Sequence, residues 1–164
     1  MGKDCAQCSA TTKSGDRCKL NVCASFPYCW IHLKSKQGLQ VKKSEIQGAG
    51  KGLFYVGKEP IKPGKKITLY SAKEVSAKPI SGDYVLEVGK NKFIDSKKKS
   101  NYPGRYINDP RGTGKRANVR FGHSGKITKV TAPGGSRETF PIITSKRIKP
   151  NTELLLSYGR SFKI

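Results

Sequence analysis

From Leu39 onward, no segment of a dozen residues carries an apolar stripe at helical spacing, and this excludes a core built from long amphipathic helices. Short runs rich in Val, Ile, Tyr and Phe alternate there with Gly, Pro, Ser and Lys, the punctuation of short strands joined by irregular loops. The runs predict strands at Leu39–Lys43, Leu53–Val56, Lys66–Tyr70, Tyr84–Val88, Lys92–Asp95, Ala117–Phe121, Lys126–Thr131, Thr139–Ile143 and Glu153–Ser157. Ser71–Ala77 reads as a helical turn at most, and Lys97 to Gly104 as an exposed basic loop. Residues 39–164 therefore read as mostly β, with several small sheets.

A chain of 164 residues holds one domain, or one domain with a small appendage, and a hydrophobic fraction of 35% is enough for one core. Its 33 basic residues against 11 acidic ones give a formal charge of +22, dispersed along the chain rather than gathered in one arm. Such a surface attracts polyanions, nucleic acid first among them. No run of about 18 apolar residues is present to span a membrane, so no membrane partner is expected. Met1–Cys5 lacks the apolar stretch of a secretory signal, and the expected setting is intracellular, where thiols stay reduced.

All five cysteines, Cys5, Cys8, Cys18, Cys23 and Cys29, fall in the first 29 residues, with His32 just beyond. A segment this short cannot bury a core of its own, and a metal is the usual remedy. Zinc takes four sulfur or nitrogen ligands in a tetrahedron. Cys29 and His32 form a tight Cys-x2-His pair, and Thr11–Gly15 is a turn-rich loop able to bring Cys8 and Cys18 together. The preferred ligand set is Cys8, Cys18, Cys29 and His32, holding one structural Zn2+. Cys5 and Cys23 are then spare, unless one replaces a chosen ligand. The pattern resembles a small zinc knuckle. Residues 1–33 are assigned to this segment, 34–38 to a linker and 39–164 to the main domain.

Three further short segments carry chemistry. Gly50-Lys51-Gly52 is a turn whose backbone a ligand can approach closely, but it lacks the third glycine and the helix of a dinucleotide fingerprint. Asn108 offers both a donor and an acceptor, and Asp109 can cap its turn or accept a ligand amine. Tyr158 stands at a strand end before Gly159. Taken singly, these are a common turn, an Asx-turn and a core tyrosine.

In order, they resemble a SET domain, the fold of protein-lysine methyltransferases, over nearly all of residues 39–164. Gly50-Lys51-Gly52-Leu53-Phe54 is similar to the opening motif, Ile61–Ile67 and Tyr70 to the turn and strand that follow, and Ile94-Asp95 with Gly104–Asn108 to the central one. Asn118 matches a later asparagine, and Arg147–Leu154 leads into Ser157-Tyr158-Gly159 as the family's last strand does. The resemblance implies a C-terminal pseudoknot, with the last segment tucked under the Tyr106–Pro110 loop. It also implies S-adenosylmethionine as cofactor, met by the backbone of Lys51, Gly52 and Leu53, by Tyr106 and Asn108, and by the backbone of Asp109 at the adenine edge. Tyr158 would be the catalytic tyrosine, and Tyr70, Leu156 and Phe162 would line the lysine channel.

Two positions depart from the family pattern. Asp109 stands where the family carries His, and Leu156 where many relatives carry Phe or Tyr. The expected function is S-adenosylmethionine-dependent lysine methylation of a histone, a nucleosome or another nucleic-acid-bound protein, the basic surface holding the nucleic acid. The expected location is the nucleus or chromatin, the host's if the chain is viral. The alternative is a SET scaffold without catalysis that binds chromatin or nucleic acid.

Overall fold

The computed structural model describes residues 6–22, 28–72, 74–76, 85–89, 92–96, 103–122, 128–132 and 135–159. Cys5, Cys23 and Phe162 lie outside them. Twelve strands, β1 to β12, and one helix, α1, form among the described residues, so the architecture is mostly β, as the sequence predicts.

The chain opens with a hairpin. β1 (Ala6–Gln7) pairs antiparallel with β2 (Asn21–Val22). Between them the Cys8 N–H donates to the Leu20 carbonyl and the Cys18 N–H to the Ala10 carbonyl, each at 2.8 Å. The tip turns at Gly15, whose φ of 87° suits a residue without Cβ.

Helix α1 spans Trp30–Gln37 and so takes in most of the predicted linker at 34–38. Its exposed Lys-Ser-Lys-Gln face has the composition of a linker, while Leu33 alone is buried and anchors the helix in the main core. Gly38 ends α1 in the left-handed region and donates its N–H to the Leu33 and Lys34 carbonyls. A Cβ there would lie 3.0 Å from the Gly57 Cα.

β3 (Leu39–Lys43) and β4 (Lys51–Tyr55) form a hairpin, and β12 (Thr152–Glu153) pairs with the other edge of β4. As the middle strand, β4 buries Gly52 to Tyr55 without alternation. A second sheet runs β10 (Thr128–Ala132), β11 (Gly135–Thr144), β5 (Lys66–Ala72), with β9 (Val119–Phe121) also paired to β11. A third runs β6 (Glu74–Ser76), β8 (Lys92–Asp95), β7 (Val85–Gly89). The helical turn predicted for Ser71–Ala77 is thus replaced by the end of β5 and by β6, because pairing of Glu74–Ser76 with Phe93–Asp95 overrides a weak local preference. The start of the predicted basic loop to Gly104 lies outside the described residues, but its end does not stay exposed. Pro103–Tyr106 is a 3-10 turn with Pro103, Gly104 and Arg105 buried. A Cβ at Gly104 would collide with the Leu69 carbonyl, so the turn packs this closely only with glycine there.

One core gathers Leu33, Leu39, Leu53, Ile107, Ile142, Ile148 and Leu154 with Tyr70, Leu156 and Tyr158. A small separate cluster holds Cys8, Ala10, Cys18 and Cys29, and Tyr28 packs against both. The C-terminal segment is held on two sides. Leu155 and Leu156 bridge in parallel to Asn108 and Val119 respectively. The Leu156 N–H donates to the Asn108 carbonyl at 3.0 Å, while the Leu155 carbonyl accepts from Asn118 and Val119 at 3.0 and 3.1 Å. The segment therefore lies between the two ends of the loop formed by residues 109–117.

Candidate functional site

The hairpin and the start of α1 bring Cys8, Cys18, Cys29 and His32 to one point, with all four ligand atoms within 4.8 Å of one another. A tetrahedral zinc with the usual bond lengths separates two sulfurs by about 3.8 Å and a sulfur from a nitrogen by about 3.6 Å. The observed spacings are 4.0 Å for Cys18–Cys29, 3.6 Å for Cys8–His32 and 3.2 Å for Cys29–His32, so the set fits one metal ion. No two of these sulfurs are at bonding distance, and all three cysteines are free. Burial alone pushes the Cys8 thiol up. The backbone donors of Cys29 and Ala10, with side-chain bonds to Cys29 and His32, outweigh it and lower the thiol from 9.0 to about 7. The Cys29 N–H reaches the Cys8 sulfur at 3.3 Å. Cys18 receives a backbone hydrogen bond from Leu20 that lowers it, but burial and the neighbouring sulfurs prevail and raise it above 9.0. The preferred ligand set of the sequence thus assembles whole.

The three chemical segments of the main domain also interlock. Asn108 Nδ2 donates to the Lys51 carbonyl at 3.0 Å, and the Leu154 N–H donates to the Leu53 carbonyl at 2.8 Å. At their meeting point lies Glu153, a buried carboxylate that the sequence reading left without a role. It accepts from Ser44 Oγ at 2.6 Å, from the Glu45 N–H at 2.8 Å and from Asn108 Nδ2 at 3.2 Å. Gly52 is glycine for this reason, since a Cβ there would lie 2.2 Å from Glu153 Oε1.

Asp109 caps its turn, the first of the two roles its chemistry allowed. Its carboxylate accepts the Arg111 N–H at 2.9 Å and pairs with Arg111 Nε at 2.8 Å. It also accepts the Tyr158 N–H at 2.8 Å. With its backbone so fixed, the buried Tyr158 donates its hydroxyl to the Ile107 carbonyl at 2.5 Å. Tyr70 is buried in the same core. Burial first, and then the Tyr158 phenol, push the Tyr70 phenol well above its ordinary value, so it stays neutral. Its ring meets Phe121 edge-on with centroids 6.3 Å apart.

A cleft of about 1140 Å³ opens beside these residues, between α1, β3 and the start of β4. Lys51 and Tyr106 line it, as does Gly50, whose φ of 69° and open surroundings leave its backbone accessible. Gly52, Leu53, Asn108 and Asp109 do not line it. Trp30 and Ile31 line it as well, a feature the sequence reading missed although Trp30 sits between two of the proposed ligands.

No protein-family model matches the chain, and no curated protein does. Among solved structures, the chain is similar to a Plasmodium falciparum protein described as a candidate histone methyltransferase. The identity is 22% and the TM-score 0.47, over 77% of this chain and 97% of that one.

Proposed function

We propose that residues 39–164 form an S-adenosylmethionine-dependent protein-lysine methyltransferase of the SET type, preceded by a zinc segment in residues 1–33. The observation that carries this reading is the interlocking of Lys51–Leu53, Asn108 and Leu154–Tyr158, three motifs distant in sequence that the resemblance requires at one site. The cleft is of a size that holds a cofactor, and the residues fit one at its Gly50–Lys51 and Tyr106 end. When bound, S-adenosylmethionine supplies a methyl group on a positively charged sulfur, which departs with the carbon–sulfur electron pair as the lysine nitrogen attacks.

This chain's own residues would position and desolvate the amine. The Tyr158 proton is committed to the Ile107 carbonyl, so the phenol oxygen keeps its lone pairs for an amine N–H. Tyr70 and Leu156, buried beside it, make an apolar setting that favours the uncharged lysine, whose lost proton passes to solvent. Catalysis would rest on proximity and orientation, with no covalent intermediate.

The substrate we propose is a histone or another nucleic-acid-associated protein, in chromatin, with the +22 charge holding the nucleic acid. The test is transfer of labelled methyl to histones or nucleosomes, with Tyr158→Phe as control. Cofactor binding absent by calorimetry would overturn the enzyme reading in favour of a non-catalytic nucleic-acid binder. DNA affinity that does not change with salt would overturn the polyanion role.

A further inference from the structure

Trp30 occupies an unusual place. It lies between Cys29 and His32, yet it is not part of the small core around the thiols. It is 59% exposed and its neighbour Ile31 67%, and both line the cleft. The indole meets Tyr106 edge-on, with ring centroids 5.9 Å apart and planes at 64°. Adjacent large apolar residues left in water over a cleft mark a surface that binds something.

The rest of the lining narrows what that is. Lys34, Lys42, Lys43 and Lys51 face the cleft, and no acidic residue lines it among the described residues. Two aromatic rings beside several cations select a ligand with a flat ring and a negative group. The adenine and carboxylate of the proposed cofactor supply both.

The backbone of Trp30 is clamped at two ends. Cys29 caps α1 and His32 is its third residue, so a metal holding both fixes the first turn of the helix. Leu33, next along, is locked into the main core. The zinc site and the ligand cleft therefore share one turn of helix.

We propose that the metal at Cys8, Cys18, Cys29 and His32 controls binding in the cleft by fixing Trp30, whose indole stacks on the adenine ring of the ligand. This rests on the methyl-transfer reading above and adds to it a regulatory role for a segment otherwise assigned to structure alone. Coupling of this kind is reciprocal, so the ligand tightens zinc by the factor by which zinc tightens the ligand.

Trp30 is the only tryptophan in the chain, and its emission reports the cleft without a label. The probe is S-adenosylhomocysteine, which binds without reacting. Titrated into zinc-loaded protein, it should quench Trp30 emission and give heat in calorimetry. Trp30→Ala, at the same zinc content, should weaken binding about tenfold or more, as loss of one ring stack does, and Trp30→Phe less. Stripping zinc with a chelator should weaken binding similarly. Zinc-free protein can lose order in its first residues, so the zinc-loaded Trp30→Ala protein decides the matter. Affinity there equal to that of the unsubstituted protein overturns the inference and leaves the methyl-transfer reading standing. No binding to the unsubstituted zinc-loaded protein overturns both. Quenching by a short oligonucleotide and not by S-adenosylhomocysteine assigns the cleft to nucleic acid, and also overturns the inference.

Discussion

The Asp109 carboxylate holds the backbone N–H of Tyr158 at 2.8 Å, across 49 positions of sequence. The residue that departs from the family pattern thus fixes the segment carrying the proposed catalytic tyrosine. Its charge is balanced by Arg111, so it needs no ligand to satisfy it. Asp109→Ala removes the acceptor of both groups and should cost about 2–3 kcal/mol in chemical denaturation, the range for hydrogen bonds to a charged group. Asp109→Asn should cost less, because one oxygen remains to accept. A loss below the scatter of the melts for Asp109→Ala would contradict this role.

Glu153 invites a paired test. Glu153→Ala leaves Ser44, Glu45 and Asn108 donors facing an empty site and should destabilise by about 3 kcal/mol or more. Gly52→Ala drives a methyl into the same carboxylate and should cost about 1–3 kcal/mol through overpacking. Since both act on one contact, the double variant should lose less than the sum of the two. Strict additivity in the denaturation cycle would count against the shared contact.

Tyr158→Phe deletes one buried hydrogen bond and leaves the Ile107 carbonyl without its phenol donor, which should lower stability by about 1–2 kcal/mol. If the phenol also orients the lysine amine, methyl transfer should fall by more than tenfold while cofactor affinity, read by calorimetry, stays within about twofold. A fall in affinity with unchanged turnover would move Tyr158 out of the catalytic role.

Zinc uptake should weaken as the medium is acidified. The Cys8 thiol is lowered to about 7, so it is mostly thiolate above that pH and takes up a proton as pH falls through it. Protons and metal compete for the same sulfur, so affinity should drop from pH 8 to pH 6. Cys18, raised above its usual value, releases its proton only when the metal displaces it and steepens the dependence. Chelator competition at several pH values measures this. Flat affinity over that range, or zinc retained at one equivalent in Cys29→Ser, would contradict the ligand set.

The metal ligands were legible because a short segment with clustered cysteines has few other ways to hold together. Strands such as Leu39–Lys43 and Lys92–Asp95 were legible with the right bounds because their apolar runs sit between clear breaks. Glu74–Ser76 was not, since a charged residue beside one valine carries little strand signal until β8 lies alongside. Residues 34–37 read as linker because a helix that buries only Leu33 needs no apolar stripe. Composition named Glu153 only as one acid among several. Its burial follows from meeting Ser44 and Asn108, residues 109 and 45 positions away, a meeting no local window contains.

The lodging of Leu155 and Leu156 between Asn108 and Val119 bears on lifetime as well as on shape. Freeing that segment means breaking hydrogen bonds along two borders and opening the loop that flanks it, all before water gains the core. Assembly has the mirror difficulty, because contacts this distant in sequence close late and slowly. The expected signature is a wide kinetic gap, with sluggish refolding from denaturant and still more sluggish unfolding. The fold would then persist through the height of its barrier more than through the depth of its well.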